Sequence, residues 1–361
     1  MTQPQPGPAR GEGAGVRIAV DAMGGDHGPS EVVPGALSYA RAHPEDRVIL
    51  VGDEQIVGAL AGPLPPNVSI VHASQVIGMD EHPALALREK KDSTIIVAVD
   101  LVKRGEADAV LTAGHTGAGM AAAVLRLGRL PGVDRPALAV QMITSRGPMV
   151  MLDIGANPDS TAENLVQYAR MGAIFAERVL GVAEPRVALL SIGEEKGKGD
   201  ARIQRATELL DATDLRFEGN VEGTDLTSHI ADVVVCDAVL GNVVMKFFEG
   251  LSGYIFDLWR AEFQRSLRGR LAYLLLRPGI GRIRAVFDYE KVGGSPLLGV
   301  RGTVIITHGR AKRRMVAFAC EVAATTARTG VPALIADSLG TSDEPRLVTA
   351  AASSSASEEA S

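Results

Sequence analysis

The chain has 361 residues, a formal net charge of −6, 46% hydrophobic residues and 22% charged residues. That length suits one large α/β unit or two lobes, because single cores stop growing near about 250–300 residues. The composition excludes whole-chain disorder and a nucleic-acid binder that works by bulk positive charge, while the two cysteines, Cys236 and Cys320, exclude a disulfide scaffold and a cysteine-based zinc site.

From the N-terminus, residues 1–15 are Pro/Gly-rich and aperiodic, and a disordered lead is expected there. They carry no apolar h-region, and no run approaches the roughly 18 apolar residues of a spanning helix, so a cytoplasmic protein is expected. Short β-branched runs follow at 16–21, 47–52, 68–73, 108–114, 137–143, 148–155, 186–193 and 231–237. They are almost continuously apolar, as strands covered on both faces should be. Helical patterns lie between most of them, at 30–43, 93–105, 118–128 and 162–181. This alternation predicts an α/β fold with a single, largely parallel sheet, built as one unit of two lobes over 16–338.

Further along, about 251–284 reads as a basic amphipathic arm. Leu251, Ile255, Leu258, Trp259, Phe263, Leu267, Leu271, Leu274 and Leu275 fall near helical spacing. Between Arg260 and Arg284 lie seven arginines, Arg265, Arg268 and Arg270 among them, against Glu262 as the one acid. A basic face beside a Trp/Phe/Leu face fits an anionic membrane surface or an acidic protein partner. Residues 339–361 are expected to be a disordered acidic tail.

In open α/β sheets, ligands gather at the carboxyl ends of strands. Five predicted strands here empty into glycine-bearing loops. The first holds Asp21, Gly24, Gly25 and Asp26. The next holds Gly114, His115, Thr116 and Gly117. Asn157 follows the third, Glu194 and Lys198 the fourth, and Asp237 and Asn242 the fifth. Glycine lets backbone N–H groups approach an anion, and a helix N-terminus adds free donors. One such loop alone would be an ordinary turn; the set on one rim predicts a pocket for phosphate or a tetrahedral oxyanion. Lys91 and Ser93, at another helix start, are candidates to complete it. P-loop, G-x-G-x-x-G, H-E-x-x-H and G-x-S-x-G patterns are absent, so no cofactor, zinc site or serine nucleophile is expected. Cys236, inside a predicted strand, reads as a core residue.

The string Val20–Pro29 resembles the opening motif of the bacterial phosphate acyltransferases PlsX. Further blocks match in order: Lys90–Ser93, Ala113–Ala118, Asp153–Asn157, Ile192–Glu195 with Lys198 and Gly199, Gly219–Gly223, Val233–Asp237, Gly241–Val244, Glu249–Gly250 and Leu298–Val300. The resemblance spans about 16–335. The family pattern has Asn where this chain has His115, and Asn where it has Ser191. The resemblance implies a three-layer α/β/α fold like that of phosphotransacetylases and isocitrate-type dehydrogenases. It implies transfer of an acyl group from acyl carrier protein to inorganic phosphate by direct attack. His115, Thr116, Lys198 and Asn242 are placed around the reacting centre. It also implies a homodimer, loose membrane association, and delivery of the acyl phosphate to a membrane glycerol-3-phosphate acyltransferase. The alternatives are a phosphotransacetylase-like enzyme using acyl-CoA, a metal- and NAD-dependent dehydrogenase, and a non-catalytic membrane scaffold.

Overall fold

The computed structural model describes residues 15–144, 146–286 and 288–340. The expected lead and tail lie outside these, except for Gly15, Leu339 and Gly340. In chain order come β1 (Arg17–Asp21), α1 (Pro29–Ala42), β2 (Arg47–Gly52), α2 (Glu54–Ala61), β3 (Val68–His72), α3 (Pro83–Glu89) and α4 (Thr94–Lys103). Next are β4 (Ala109–Thr112), α5 (Thr116–Arg126), β5 (Ala137–Leu138), β6 (Val140–Thr144), β7 (Gly147–Leu152), α6 (Ala162–Leu180) and β8 (Val187–Leu190). They are followed by α7 (Ala201–Asp211), β9 (Phe217–Val221), β10 (Val233–Val235), α8 (Ala238–Gln264) and α9 (Leu267–Val286). The chain closes with β11 (Ser295–Leu298), β12 (Thr303–Ile306), α10 (Arg313–Arg328) and α11 (Val331–Gly340).

The α/β expectation holds, but the single sheet is two. The first has the order β3-β2-β1-β4-β12-β11-β5 and the second β6-β7-β10-β8-β9. All pairings are parallel except those of β11 with β12 and β5, and of β6 with β7. The break falls inside the run 137–143. Leu138 pairs with β11 in the first sheet, and Val140 pairs with β7 in the second. An apolar run records burial, not the partner strand, so this division is invisible in the sequence. Strands β4, β8 and β10 are buried at every position, which explains their unbroken apolar character. Helices α1 and α10 cover one face of the first sheet, and α4 and α5 the other. Helices α6, α7 and α11 cover one face of the second. The strands β9, β11 and β12 were not expected; β9 (FEGNV) and β11 (SPLL) carry the polar residues and proline that weaken a strand pattern.

A buried carboxylate ties the outer edge of the first sheet together. Asp46 is fully buried. It accepts from Val16 N–H at 2.8 Å and Tyr39 Oη at 2.5 Å, and pairs with the Arg328 guanidinium. His43 and Glu45 lie beside it, but its oxygens are already occupied by these donors. Burial opposes its ionisation, and the Tyr39, Val16 and Arg328 contacts more than offset this, so its pKa lies below the ordinary value. Asp232, buried and held by Arg186 and His229, is lowered in the same way. A lowered folded-state pKa gives stability that is present above the unfolded value near about 3.9 and is lost as pH falls through the folded one. The urea midpoint of the native chain is therefore expected to drop between neutral pH and pH ~3.5. In Asp46→Asn the midpoint should start lower and fall less; an unchanged pH slope would contradict the assignment.

Candidate functional site

A cleft of about 1460 Å³ opens where the carboxyl ends of strands from both sheets meet. Its polar end is made by Asp26 after β1, Thr116 and Gly117 at the start of α5, Gly155 after β7, and Asn242 on the first turns of α8. Its long wall, from α8 and α9, carries Met245, Phe248, Phe256, Trp259, Phe263, Tyr273 and Leu274, with Arg260 and Arg270 among them, and the rings of Phe263 and Tyr273 are in contact, 5.6 Å between centroids.

Three interlocked loops build the polar end. Gly24 must be glycine, because a Cβ there would lie 2.7 Å from Asp21 Oδ2 and 2.8 Å from Gly114 N. Gly25, at φ 91°, fits between the carbonyls of Ala113 and Gly309. Asp26 N–H donates to Gly309 O at 2.8 Å. On the other side, Asp153 is buried and accepts from the N–H groups of Leu138, Gly155, Ala156 and Asn157 and from Asn157 Nδ2, at 2.8–3.1 Å. Burial pushes its pKa up, and these donors oppose that rise. Asp153 thus ties β5 of the first sheet to the loop after β7 in the second.

The expected site residues separate into groups. Asp26, Thr116, Gly117 and Asn242 line the cleft. Asn242 Nδ2 donates to Ile154 O at 3.3 Å. His115 and Gly114 lie behind it, around a pocket of about 10 Å³ shared with Asp21, Thr94 and Thr112. His115 caps α5, its Nδ1 accepting from Gly117 N–H at 3.0 Å, so that nitrogen is not the expected donor to an anion. Asp21 is buried beneath the loops and Ser93 at the start of α4, where its hydroxyl makes no capping bond. Lys91 is exposed outside the cleft lining. Asn157 is buried, its amide donating to Pro136 O and Asp153. Glu194 and Lys198 are exposed on the loop after β8, also outside the lining. Asp237 caps α8 through the N–H groups of Val239 and Leu240 and pairs with Arg202 at 2.7 Å. Cys236 is a fully buried core residue; burial pushes its thiol pKa well above the ordinary value.

Sequence reading missed Lys246, His308, Gly309 and Lys312, which also line the cleft. The signals were present. Lys246 is four residues from Asn242 and shares its helix face. His308 and Gly309 follow the apolar run of β12, a further strand ending in a glycine-bearing loop.

The arm is a helical hairpin, not one stretch. α8 ends at Gln264, and Ser266 Oγ accepts from Gly269 N–H to start α9. A Cβ on Gly269 would come 2.7 Å from Phe263 O, so glycine permits the tight turn. Trp259, Arg260, Phe263, Arg270 and Leu274 line the cleft, whereas Arg265, Leu267, Arg268 and Leu271 point elsewhere and are exposed. Leu267 and Leu275 are 81% and 75% exposed, a large apolar surface for a chain of this kind. Among the described residues, no helix is long and apolar enough to cross a membrane.

The profile of a family described as "Fatty acid synthesis protein" matches residues 16–334. A phosphate acyltransferase of Desulfitobacterium hafniense (strain Y51) is 47% identical over 318 residues, covering 87% of this chain and 95% of that protein. One from Alkalilimnicola ehrlichii is 47% identical over 324 residues, covering 89% and 95%. Among solved structures, the EutD phosphotransacetylase from Staphylococcus aureus superposes with a TM-score of 0.57 at 17% identity, covering 87% of this chain and 95% of that one. A branched-chain phosphotransacylase from Enterococcus faecalis V583 gives 0.53 at 14% identity, covering 86% and 99%. These two agree with the expected fold and speak to fold alone. The sequence matches, extending over almost the whole described chain, decide the rest: the chain belongs to the fatty acid synthesis protein family, the PlsX phosphate acyltransferases, and is a transferase.

Proposed function

We propose that the chain transfers a fatty acyl group from acyl carrier protein thioester to inorganic phosphate, releasing an acyl phosphate for phospholipid synthesis. The observation that carries this reading is the continuity of the cleft, from the α5 N-terminus to the aromatic wall of the hairpin. A long acyl chain suits the apolar wall, and an anion suits the polar end.

In this reading an oxygen of hydrogen phosphate attacks the thioester carbonyl, the carbon–sulfur bond breaks, and the sulfur leaves as thiol with the proton that hydrogen phosphate gives up. Phosphate is already a nucleophile, so positioning and oxyanion stabilisation lower the barrier. Thr116 Oγ and the N–H groups at the α5 start other than that of Gly117, which His115 occupies, hold phosphate. Asn242 and Lys246, on one face of α8, flank the carbonyl, with His308 and Lys312 opposite. His115 orients the α5 entrance, and Lys198 is no longer placed at the reacting centre. Residues 16–338 act as one catalytic unit of two lobes, and two such units form a homodimer at a cytoplasmic membrane surface. A membrane glycerol-3-phosphate acyltransferase consumes the product.

The donor is tested by offering carrier protein thioester and CoA thioester of the same acyl group, with phosphate, and trapping the product as hydroxamate. A higher kcat/KM with the carrier protein is expected; preference for CoA would favour the phosphotransacetylase-like alternative. The exposed hairpin face is tested apart from the cleft. Charge reversal at Arg265 and Arg268, which lie outside the cleft lining, should reduce flotation with anionic vesicles while leaving turnover of soluble substrate intact. Unchanged flotation would remove lipid from the account.

A further inference from the structure

Thr112, the last residue of β4, stands where the loops of the polar end cross. Its Oγ1 donates to Asp21 Oδ2 at 2.7 Å and accepts from Gly114 N–H at 2.9 Å. Its carbonyl accepts from Thr307 N–H at 2.9 Å, next to His308. Thr112 is 1% exposed and Asp21 3%. A hydroxyl has one proton to give. With that proton committed to the carboxylate, its lone pairs remain to hold the Gly114 amide, and the direction of the chain Gly114–Thr112–Asp21 is fixed. The turn Gly114–Gly117 then enters α5 in one orientation, and Gly24 closes over both Asp21 Oδ2 and Gly114 N with no room for a Cβ.

We propose that Thr112, anchored by Asp21, is a positioning residue that sets phosphate affinity from beneath the cleft without touching the substrate. Asp21, expected among the phosphate-binding residues, acts through Thr112. The inference rests on the reading that phosphate binds at the α5 entrance, and the test separates the two.

Initial rates are measured for Thr112→Val, Thr112→Ser and Thr116→Ala with phosphate and thioester varied separately, alongside thermal unfolding. Thr112→Val keeps the shape and removes both hydrogen bonds. It is expected to raise the phosphate KM about tenfold or more, as a small misplacement of a binding loop does, with the thioester KM nearly unchanged. Thr112→Ser restores the hydroxyl and should restore the phosphate KM. A lower unfolding temperature with an unchanged phosphate KM, an equal change in both KM values, or failure of serine to rescue would overturn the proposal. If Thr112→Val is not recovered folded, Thr112→Ala carries the same readout. Should Thr116→Ala leave the phosphate KM unchanged, the phosphate site itself is misplaced and this inference falls with it. If Thr116→Ala raises it and Thr112→Val does not, this inference alone fails.

Discussion

Asp153→Ala is expected to destabilise the chain by about 4 kcal/mol or more, because each buried N–H left without a partner costs roughly 1–3 kcal/mol. The carboxylate accepts from four backbone N–H groups and one side-chain amide, and of these donors the Asn157 amide also reaches Pro136 O. The damage spans both sheets, since Leu138 pairs with β11 and the remaining donors belong to the loop after β7. Asp153→Asn is the sharper version. It keeps the shape but turns an acceptor oxygen into a donor facing other donors, so it too should lower the urea midpoint clearly. A change below about 1 kcal/mol for either variant would show that the five bonds are not a clamp.

Gly241→Ala is expected to lower turnover about a hundredfold or more while leaving helical content close to native. A Cβ at this position would lie 2.0 Å from Asp153 O and 3.0 Å from Ile154 Cα. Both are backbone atoms, so the first turn of α8 must move, and it carries Asn242 and Lys246 with it. The same substitution at Gly250, on α8 but outside the cleft lining, meets nothing within 4 Å. There, alanine should stabilise the helix by up to about 1 kcal/mol and leave turnover intact. Equal behaviour of the two variants, read by circular dichroism and initial rates, would contradict the packing argument.

Sequence and structure agree best where a local signal closes the element. The run 47–52 is β2 to the residue, and 162–181 is α6 with its glycine C-cap, because unbroken apolar character and a left-handed Gly181 are local signals. The run 137–143 divides between two sheets because strand partnership is decided by distant residues in β7 and β11. The site was legible as a rim of glycine-bearing loops: those after β1, β4, β7 and β10 reach the cleft or its floor. The loop after β8 has the same composition and does not reach it, since its strand lies on the far side of β10. His308 and Lys312 were not placed in the site because β12 joins the rim from late in the chain, beside β4. Lys246 shows the reverse: its helical spacing from Asn242 was available, but the helix start had first to be placed.

In the proposed reaction phosphate itself takes the acyl group within this cleft, without an acylated enzyme. The direct measurement is thiol release from the carrier protein thioester, followed together with hydroxylamine-trapped acyl phosphate, at a series of phosphate concentrations including none. One acyl phosphate per thiol is expected, with no thiol release or burst without phosphate, and the same stoichiometry in Cys236→Ser. A burst of thiol equal to the enzyme concentration in the absence of phosphate would contradict it, because that result requires a covalent acyl-enzyme.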